Sequence, residues 1–315
     1  MQWFAQAPAN IALIKYMGKA DEGENIPANP SMSYTLEQLR SSVVMEKYSG
    51  RKDIWEPLHT PGALPFSLSE ASQQRYLEHL QRIKEYFNYE GFFVVRSTNN
   101  FPHGTGLASS ASSFAALTKC AAAAICELSQ QELPDVTHLA QLSQKGSGSS
   151  CRSFFSPWAI WTQQKLTAVK TKCAHLDHQV IILSSAEKTV SSSEAHQRVK
   201  TSPLWPERPK RVKENILELA KALDSGDWKT VRNVSWREFQ DMHKLFSTSE
   251  KPFHYITPQV EEVLDLMQNL WEKNGDGPIV TMDAGPNIHL LYRPDQAEMA
   301  LNIKRKYFVG NYDVL

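Results

Sequence analysis

Between Ala115 and Leu128 the chain runs Ala-Ala-Leu-Thr-Lys-Cys-Ala-Ala-Ala-Ala-Ile-Cys-Glu-Leu, and such a segment has few places to go. Alanine has the highest helix propensity, so the run predicts a helix from about Ser109 to Leu128. Apolar and small residues surround most of its axis, and a helix of that kind is buried. Lys119 and Glu127 break the run, which leaves it short of the roughly 18–20 apolar residues a bilayer span needs. The fold must therefore wrap around this helix. Directly upstream, Phe92 to Arg96 is a β-branched and aromatic strand, followed by a Pro/Gly-punctuated loop, Asn99 to Gly106.

Other elements follow from periodicity. Ala7 to Lys15, Met32 to Leu36 and Val43 to Tyr48 predict strands. Residues 67–88 predict a helix with Leu77, Leu80, Ile83 and Phe87 on one face, and residues 135–145 predict another ending at Gly146. Trp158 to Thr162 and Val180 to Leu183 predict strands. Two amphipathic helices follow, one marked by Val212, Ile216, Leu219, Ala220 and Leu223, the other by Val260, Val263, Leu264, Met267, Leu270 and Trp271. Thr257, Pro258 and Gly275 punctuate the second as cap, first turn and stop. Strands Ile279 to Met282 and His289 to Tyr292 and a helix from Pro294 to about Tyr307 end the chain. Strands and helices mix without βαβ alternation, so the class is α+β, with two lobes expected at 1–185 and 186–315.

Hydrophobic residues make up 41% and charged residues 22%, enough for a substantial core in 315 residues. Lys plus Arg and Asp plus Glu both number 34, so no global field draws the chain to nucleic acid or an anionic membrane. The basic run Arg208 to Lys213 opens an amphipathic helix and is expected to be a solvated face. Met1 to Asn10 lacks the features of a signal peptide. Cys120, Cys126, Cys151 and Cys173 form no CxxC pair and are expected to be reduced thiols, in a cytoplasmic location. Cys173-Ala174-His175-Leu176-Asp177-His178 has the residue types of a zinc site, but no second cluster has matching spacing, and no metal site is expected of it.

Four segments carry donors suited to chemistry. Pro102-His103-Gly104-Thr105-Gly106-Leu107-Ala108-Ser109-Ser110 leads into the alanine-rich helix. Glycines there permit close backbone approach, and the helix start offers free N–H groups, a positive dipole end and two hydroxyls to phosphate. It is neither a Walker loop nor a dinucleotide fingerprint. Lys145-Gly146-Ser147-Gly148-Ser149-Ser150-Cys151-Arg152-Ser153 is a second dense donor set, read as anion-binding rather than as a linker because Phe154, Phe155 and Trp158 follow at once. Asn10 to Lys19 places Lys15 and Lys19 on a turn, where lysines by themselves are usually solvated. Thr281-Met282-Asp283-Ala284-Gly285-Pro286-Asn287 ends a strand; by itself it favours Asp283 as a turn cap over a catalytic carboxylate.

Taken in chain order, the four segments resemble the GHMP kinase superfamily and, within it, the mevalonate diphosphate decarboxylase family. Asn10–Lys19 is similar to the family's motif ending Tyr-Trp-Gly-Lys, Lys145–Ser153 to its Gly-Ser-Gly-Ser-Ala-Cys-Arg-Ser, and Thr281–Asn287 to its Thr-Phe-Asp-Ala-Gly-Pro-Asn. The resemblance implies a two-lobe fold, with an N-terminal lobe like domain 2 of ribosomal protein S5 and a ferredoxin-like C-terminal lobe. It implies ATP-dependent decarboxylation of mevalonate 5-diphosphate, with ATP and Mg2+, in a cytoplasmic homodimer that binds neither nucleic acid nor membrane. It also implies roles. Asp283, Arg152 and Lys15 would be catalytic, Arg152 holding the departing carboxylate. Gly104, Gly106, Leu107, Ala108, Ser109 and Ser110 would hold ATP. Asn10, Tyr16, Lys19, Ser147, Gly148, Ser149, Arg152 and Ser192 would bind substrate. Met17 departs from the family's Trp, His103-Gly104-Thr105 from its Thr-Ala-Ala, Ser156-Pro157 from a Gly-Gly pair, and Ser193 from the arginine of many bacterial members. A phosphomevalonate decarboxylase, a GHMP small-molecule kinase such as a mevalonate kinase and a non-catalytic sensor stay open as alternatives, as does a role for Arg75.

Overall fold

The computed structural model of the protein describes residues 1–60, 67–102, 109–184 and 189–315. Its N-terminal part is a six-stranded sheet made of β1 (Gln2–Ile14), β4 (Ser31–Tyr48), β5 (Ile54–Pro57), β6 (Phe92–Asn99), β7 (Trp158–Trp161) and β8 (Leu166–Val169). A small hairpin of β2 (Lys19–Asp21) and β3 (Ile26–Pro27) branches from it. β4 organises the sheet, pairing with β1 along its length, with β7 over Ser31–Tyr34 and with β6 over Ser41–Tyr48. The two predicted strands at Met32–Leu36 and Val43–Tyr48 are thus one. The polar residues between them sit where the β1–β4 register shifts at Pro8/Ala9; a bulge interrupts the alternation without ending the strand.

Helices α1 (Glu70–Tyr86), α2 (Ser109–Ser129) and α3 (Val136–Gly146) share one core with this sheet. Tyr76, Leu80 and Ile83 of α1, Ala121, Ala122 and Ile125 of α2 and Val43, Phe93 and Val95 of the strands meet there. α2 would by length and composition be able to cross a bilayer, but 72% of its most apolar stretch is buried within the fold. Alanines on most of its faces let the sheet and two helices approach closely, which is why it is the central helix.

The C-terminal part is a four-stranded antiparallel sheet in the order β10 (Ile279–Met282), β11 (Ile288–Tyr292), β9 (Asp177–Ile182), β12 (Asp313–Val314). β9 lies before residue 185 and pairs in this sheet, Val180 opposite His289, the chain having left the first sheet after β8. α4 (Ser192–Arg198), α5 (Arg208–Ser225), α6 (Trp228–Ser247), α7 (Pro258–Asn274) and α8 (Ala297–Ile303) complete this part. Thr257 caps α7 and Gly275 ends it at φ +66°, as the sequence predicts. The predicted terminal helix is broken, with a 3-10 turn over Pro294–Gln296 and a π turn over Lys304–Phe308 flanking α8.

The two parts share a core rather than a hinge. Ile11 and Leu13 of β1, Met32 and Tyr34 of β4, Val212 and Leu219 of α5, Val231 of α6 and Val180 of β9 belong to one buried cluster. Arg208 corrects the expectation of a solvated basic face: it is fully buried, paired with Glu238 and Asp241 of α6. Cys120, Cys126 and Cys151 are buried free thiols.

Candidate active site

The four segments converge on a cleft of about 380 Å³ where the end of β1 meets the turn after β10. Each side chain arrives there for a local reason. Lys15 follows the last residue of β1, its ammonium turned back into the molecule with 1% of the residue exposed. Nζ donates to Asp283 Oδ1 at 2.8 Å and to the carbonyl of Ala12. The expectation that a lysine in this turn is solvated therefore fails. Burial lowers the Lys15 ammonium from its usual range, and Asp283 and Glu238 oppose that shift.

Asp283 stands directly after β10, and its backbone carbonyl, not its carboxylate, closes the turn by accepting from Gly285 N–H at 2.8 Å. The carboxylate goes to Lys15, so the turn-cap reading is corrected. Burial alone would raise this carboxyl. The Lys15 ammonium, assisted by Arg152, overrides it and holds Asp283 below the ordinary value. His243 Nε2 bonds the Asp283 carbonyl at 3.2 Å. Burial depresses His243 to about 4, so the ring is neutral and donates.

Residues Gly148–Phe154 form a 3-10 helix, not an open loop, pinned by the Ser143–Ser150 hydroxyl contact at 2.6 Å and by Ser150 donating to Ser147 O at 2.7 Å. This helix buries Arg152 to 3% exposure at the cleft floor. Nε donates to Asn10 Oδ1 at 3.2 Å and Ser33 Oγ at 3.1 Å, and Nη1 to Ser31 Oγ at 2.8 Å. These acceptors are neutral, and among the described residues no carboxylate lies within ion-pair distance of the guanidinium. A buried cation aimed by three neutral acceptors is a receptor for an anionic ligand. Asn10 lies behind Arg152 rather than on the cleft wall, and its amide also donates to Ser153 Oγ at 2.9 Å.

Tyr16, Lys19, Ser147, Gly148, Ser149 and Ser192 line the cleft. Tyr16 is wedged between Trp161 and His196, with ring centroids 4.7 and 4.4 Å away. Burial pushes its phenol up, so it remains a neutral donor. Gly148 is required here, since a Cβ would lie 2.6 Å from Tyr16 Oη. Lys19 is drawn aside by Glu22 at 3.4 Å. Arg75 of α1 reaches the same wall, donating to Gly146 O at 2.8 Å with its guanidinium 5.0 Å from the Phe114 ring centroid. Ser109 and Ser110, at the start of α2, line the cleft beside Ser147, whose Oγ lies 3.4 Å from Ser110 Oγ. Gly104, Gly106, Leu107 and Ala108 lie outside the described residues.

Sequence reading missed His196, Asn25 and Met242, which also line the cleft. His196 Nδ1 accepts from Gly18 N–H at 2.8 Å, and burial depresses the ring to about 3. A lone histidine four residues after Ser192 carries no motif, so only the fold could find it. In the zinc-like cluster, His178 Nε2 lies 2.9 Å from His289 Nδ1, and Cys173 is a free thiol.

The start of a 21-residue helix with two hydroxyls facing a lysine-lined cleft suits the phosphates of a nucleotide. No group of three or more metal-ligating side chains occurs among the described residues. Mg2+ dehydrates reluctantly, keeps several waters and is usually held through substrate phosphates with few protein groups; the hydroxyls of Ser109 and Ser110, which line the cleft, would be within its reach there.

Comparison with known proteins agrees with this geometry. Residues 7–174 match the family model described as the diphosphomevalonate decarboxylase-like N-terminal domain, and residues 179–314 match the mevalonate 5-diphosphate decarboxylase C-terminal domain. The diphosphomevalonate decarboxylase of Saccharomyces cerevisiae is 30% identical over 91% of this chain and 76% of its own length. The crystal structure of a mevalonate diphosphate decarboxylase from Legionella pneumophila is 56% identical, covers 100% of both chains and superposes with a TM-score of 0.94. A structure described as MDDEF in complex with MVAPP, AMPPCP and magnesium is 26% identical, covering 100% of this chain and 96% of its own, with a TM-score of 0.87.

Proposed function

Because this chain belongs to the diphosphomevalonate decarboxylase family, we propose that its cleft converts mevalonate 5-diphosphate and ATP into isopentenyl diphosphate, ADP, phosphate and CO2. The observation that carries the reading is Arg152, a buried guanidinium without a carboxylate partner among the described residues, in the same cleft as the Lys15–Asp283 pair.

Arg152 holds the substrate carboxylate, and Asn10, Ser31 and Ser33 fix the guanidinium plane that receives it. Tyr16, the serines at 147, 149 and 192, Lys19 and Arg75 receive the phosphate end. Asp283 accepts a hydrogen bond from the tertiary hydroxyl and orients it toward the γ-phosphorus. Its lowered pKa makes it a weak base, so it takes the proton late, as phosphoryl transfer proceeds. Ser109, Ser110 and the start of α2 hold the nucleotide phosphates. Mg2+, when bound, neutralises phosphate charge. The new phosphate then leaves the tertiary carbon. The carboxylate's C–C bond breaks, its electron pair forms the alkene, and CO2 departs. Arg152 keeps that bond aligned with the leaving phosphate.

The diphosphate is the substrate assigned here over the monophosphate, because the matching family models and relatives are diphosphomevalonate decarboxylases, and Lys19, Arg75, Tyr16 and several serines offer donors on the same cleft. We also propose a cytoplasmic homodimer without nucleic-acid or membrane partners; the dimer and location rest on the family resemblance, and the balanced charge supports only the absence of polyanionic partners. Turnover of mevalonate, its 5-phosphate and its 5-diphosphate, compared at equal concentration, tests the assignment. Preference for the 5-diphosphate is expected. Preference for the 5-phosphate would make the protein a phosphomevalonate decarboxylase, and ADP formation from mevalonate without CO2 would make it a kinase. Sedimentation that finds only monomer across a wide concentration range would remove the dimer.

A further inference from the structure

Glu238 of α6 is a carboxylate with 0% exposure and lies outside the sequence motifs that carry the family resemblance. Its Oε1 accepts from the backbone N–H of Lys15 at 3.1 Å and from Arg208, and its Oε2 accepts from Asn215 Nδ2 at 2.6 Å. Lys15 lies one residue beyond the β1–β4 ladder, whose last pair is Ile14↔Met32, so its N–H has no strand partner. Its carbonyl is held by Asn29 Nδ2 at 2.9 Å and its ammonium by Asp283 and Ala12. Every polar group of this lysine is thus fixed, and Glu238 supplies the only one of these contacts that comes from a helix. Satisfying one amide requires only a neutral acceptor. Burying a carboxylate for it, and then a guanidinium to offset the carboxylate, is costly unless the charge has a use. The nearest use is the Lys15 ammonium, on which Glu238 acts electrostatically.

We propose that Glu238 is a positioning residue for the reaction: it anchors Lys15 from α6 through the backbone N–H and, backed by Arg208 and Asn215, keeps the lysine aimed at Asp283. Lys15 faces Asp283 and Glu238, which favour its charged form, and Arg152, which opposes it, with His243 and His289 nearby and depressed to about 4. Removing the Glu238 charge therefore makes Lys15 lose its proton at lower pH, and Asp283 loses the partner that holds it ionised.

The inference rests on the decarboxylase reading and is tested beside it. Glu238→Gln keeps the acceptor for Lys15 N–H and removes the charge. Its kcat, its KM for mevalonate 5-diphosphate, its kcat–pH profile and its melting temperature are measured with wild type and with Ile216→Ala, a destabilised control in the core of α5. Expected is a kcat loss of about 10-fold to 100-fold with KM within about threefold, and an alkaline limb displaced to lower pH. Ile216→Ala should lower the melting temperature without moving the limb. If Glu238→Gln does not fold, Glu238→Asp, which keeps the charge at shorter reach, should lower kcat with the limb unmoved. Wild-type kcat in either folded variant, or a Glu238→Gln profile superimposable on wild type, overturns the proposal. A titration of Lys15 by 13C-lysine NMR decides it without turnover: an unchanged midpoint in Glu238→Gln overturns it, and a lowered one supports it. Wild-type protein without any turnover would instead overturn the decarboxylase reading.

Discussion

Asp283→Asn isolates the charge at the centre of the cleft. The amide has the size of the carboxylate and still accepts a hydrogen bond from Lys15 Nζ, now at 2.8 Å from Oδ1. Removing one partner of a fully buried ion pair costs about 3–5 kcal/mol. Here the Lys15 side chain is 2% exposed but that of Asp283 is 27% exposed, and the hydrogen bond persists, so the expected stability loss is about 1–3 kcal/mol. The catalytic loss is larger. A group that orients and finally deprotonates the attacking hydroxyl contributes about 10²–10⁴ in rate, or about 3–5 kcal/mol in barrier. Steady-state kinetics well below the melting transition should show kcat reduced by that factor and substrate KM changed only a few-fold. The melting curve should remain cooperative and move down by several degrees. A folded Asn variant with near-full turnover would refute both the role of Asp283 and the mechanism built on it.

Arg152→Lys keeps the charge but cannot donate at once to Asn10, Ser31 and Ser33 while presenting a planar fork; kcat/KM should fall about 10²–10³-fold, with ATP binding by equilibrium titration little changed. Gly148→Ala places a Cβ 2.6 Å from Tyr16 Oη, and because Trp161 and His196 clamp that ring, KM for the phosphorylated substrate should rise about 10-fold or more while the fold survives. Acid should destabilise the protein before ordinary carboxylates titrate. His79 and His196 at about 3, and His243 and His289 at about 4, lie below the ordinary 6.5, so the unfolded chain binds protons that the folded one refuses. Stability from these groups is intact above about pH 6.5 and falls as pH drops toward 4, with Asp283 adding a further loss as its lowered carboxyl protonates. Melting temperatures from pH 8 to pH 4 should therefore decline below pH 6, and a flat profile down to pH 4.5 would contradict the burial of these rings.

What could be read in the sequence follows from what periodicity can encode. α2 and α7 were visible because apolar spacing, caps and terminators agree. α6 was not, because the face it turns inward carries Ser235, Glu238 and His243 among Val231, Val234, Phe239 and Met242. Those polar residues break the apolar stripe and also serve the site: Glu238 holds Lys15, and His243 holds Asp283. The same conflict hid the burial of Arg208, whose neighbours Lys210 and Lys213 are exposed and whose partners lie 30 and 33 residues away. The catalytic segments were recognisable as motifs. The distance between Lys15 and Asp283, 268 residues apart in sequence, was not, since no local pattern records a contact between a strand of one sheet and a turn of another.

The central claim is that phosphoryl transfer and decarboxylation are coupled in this one cleft, and the stoichiometry of products tests it most directly. Purified protein is given ATP, Mg2+ and mevalonate 5-diphosphate labelled at the carboxylate, and ADP and released CO2 are counted over the same interval. The account predicts one CO2 for each ADP, with both rates falling together in Arg152→Lys and Asp283→Asn. Substrate-dependent ADP formation without CO2 from wild-type protein would contradict it, because Arg152 would then hold a carboxylate that never leaves.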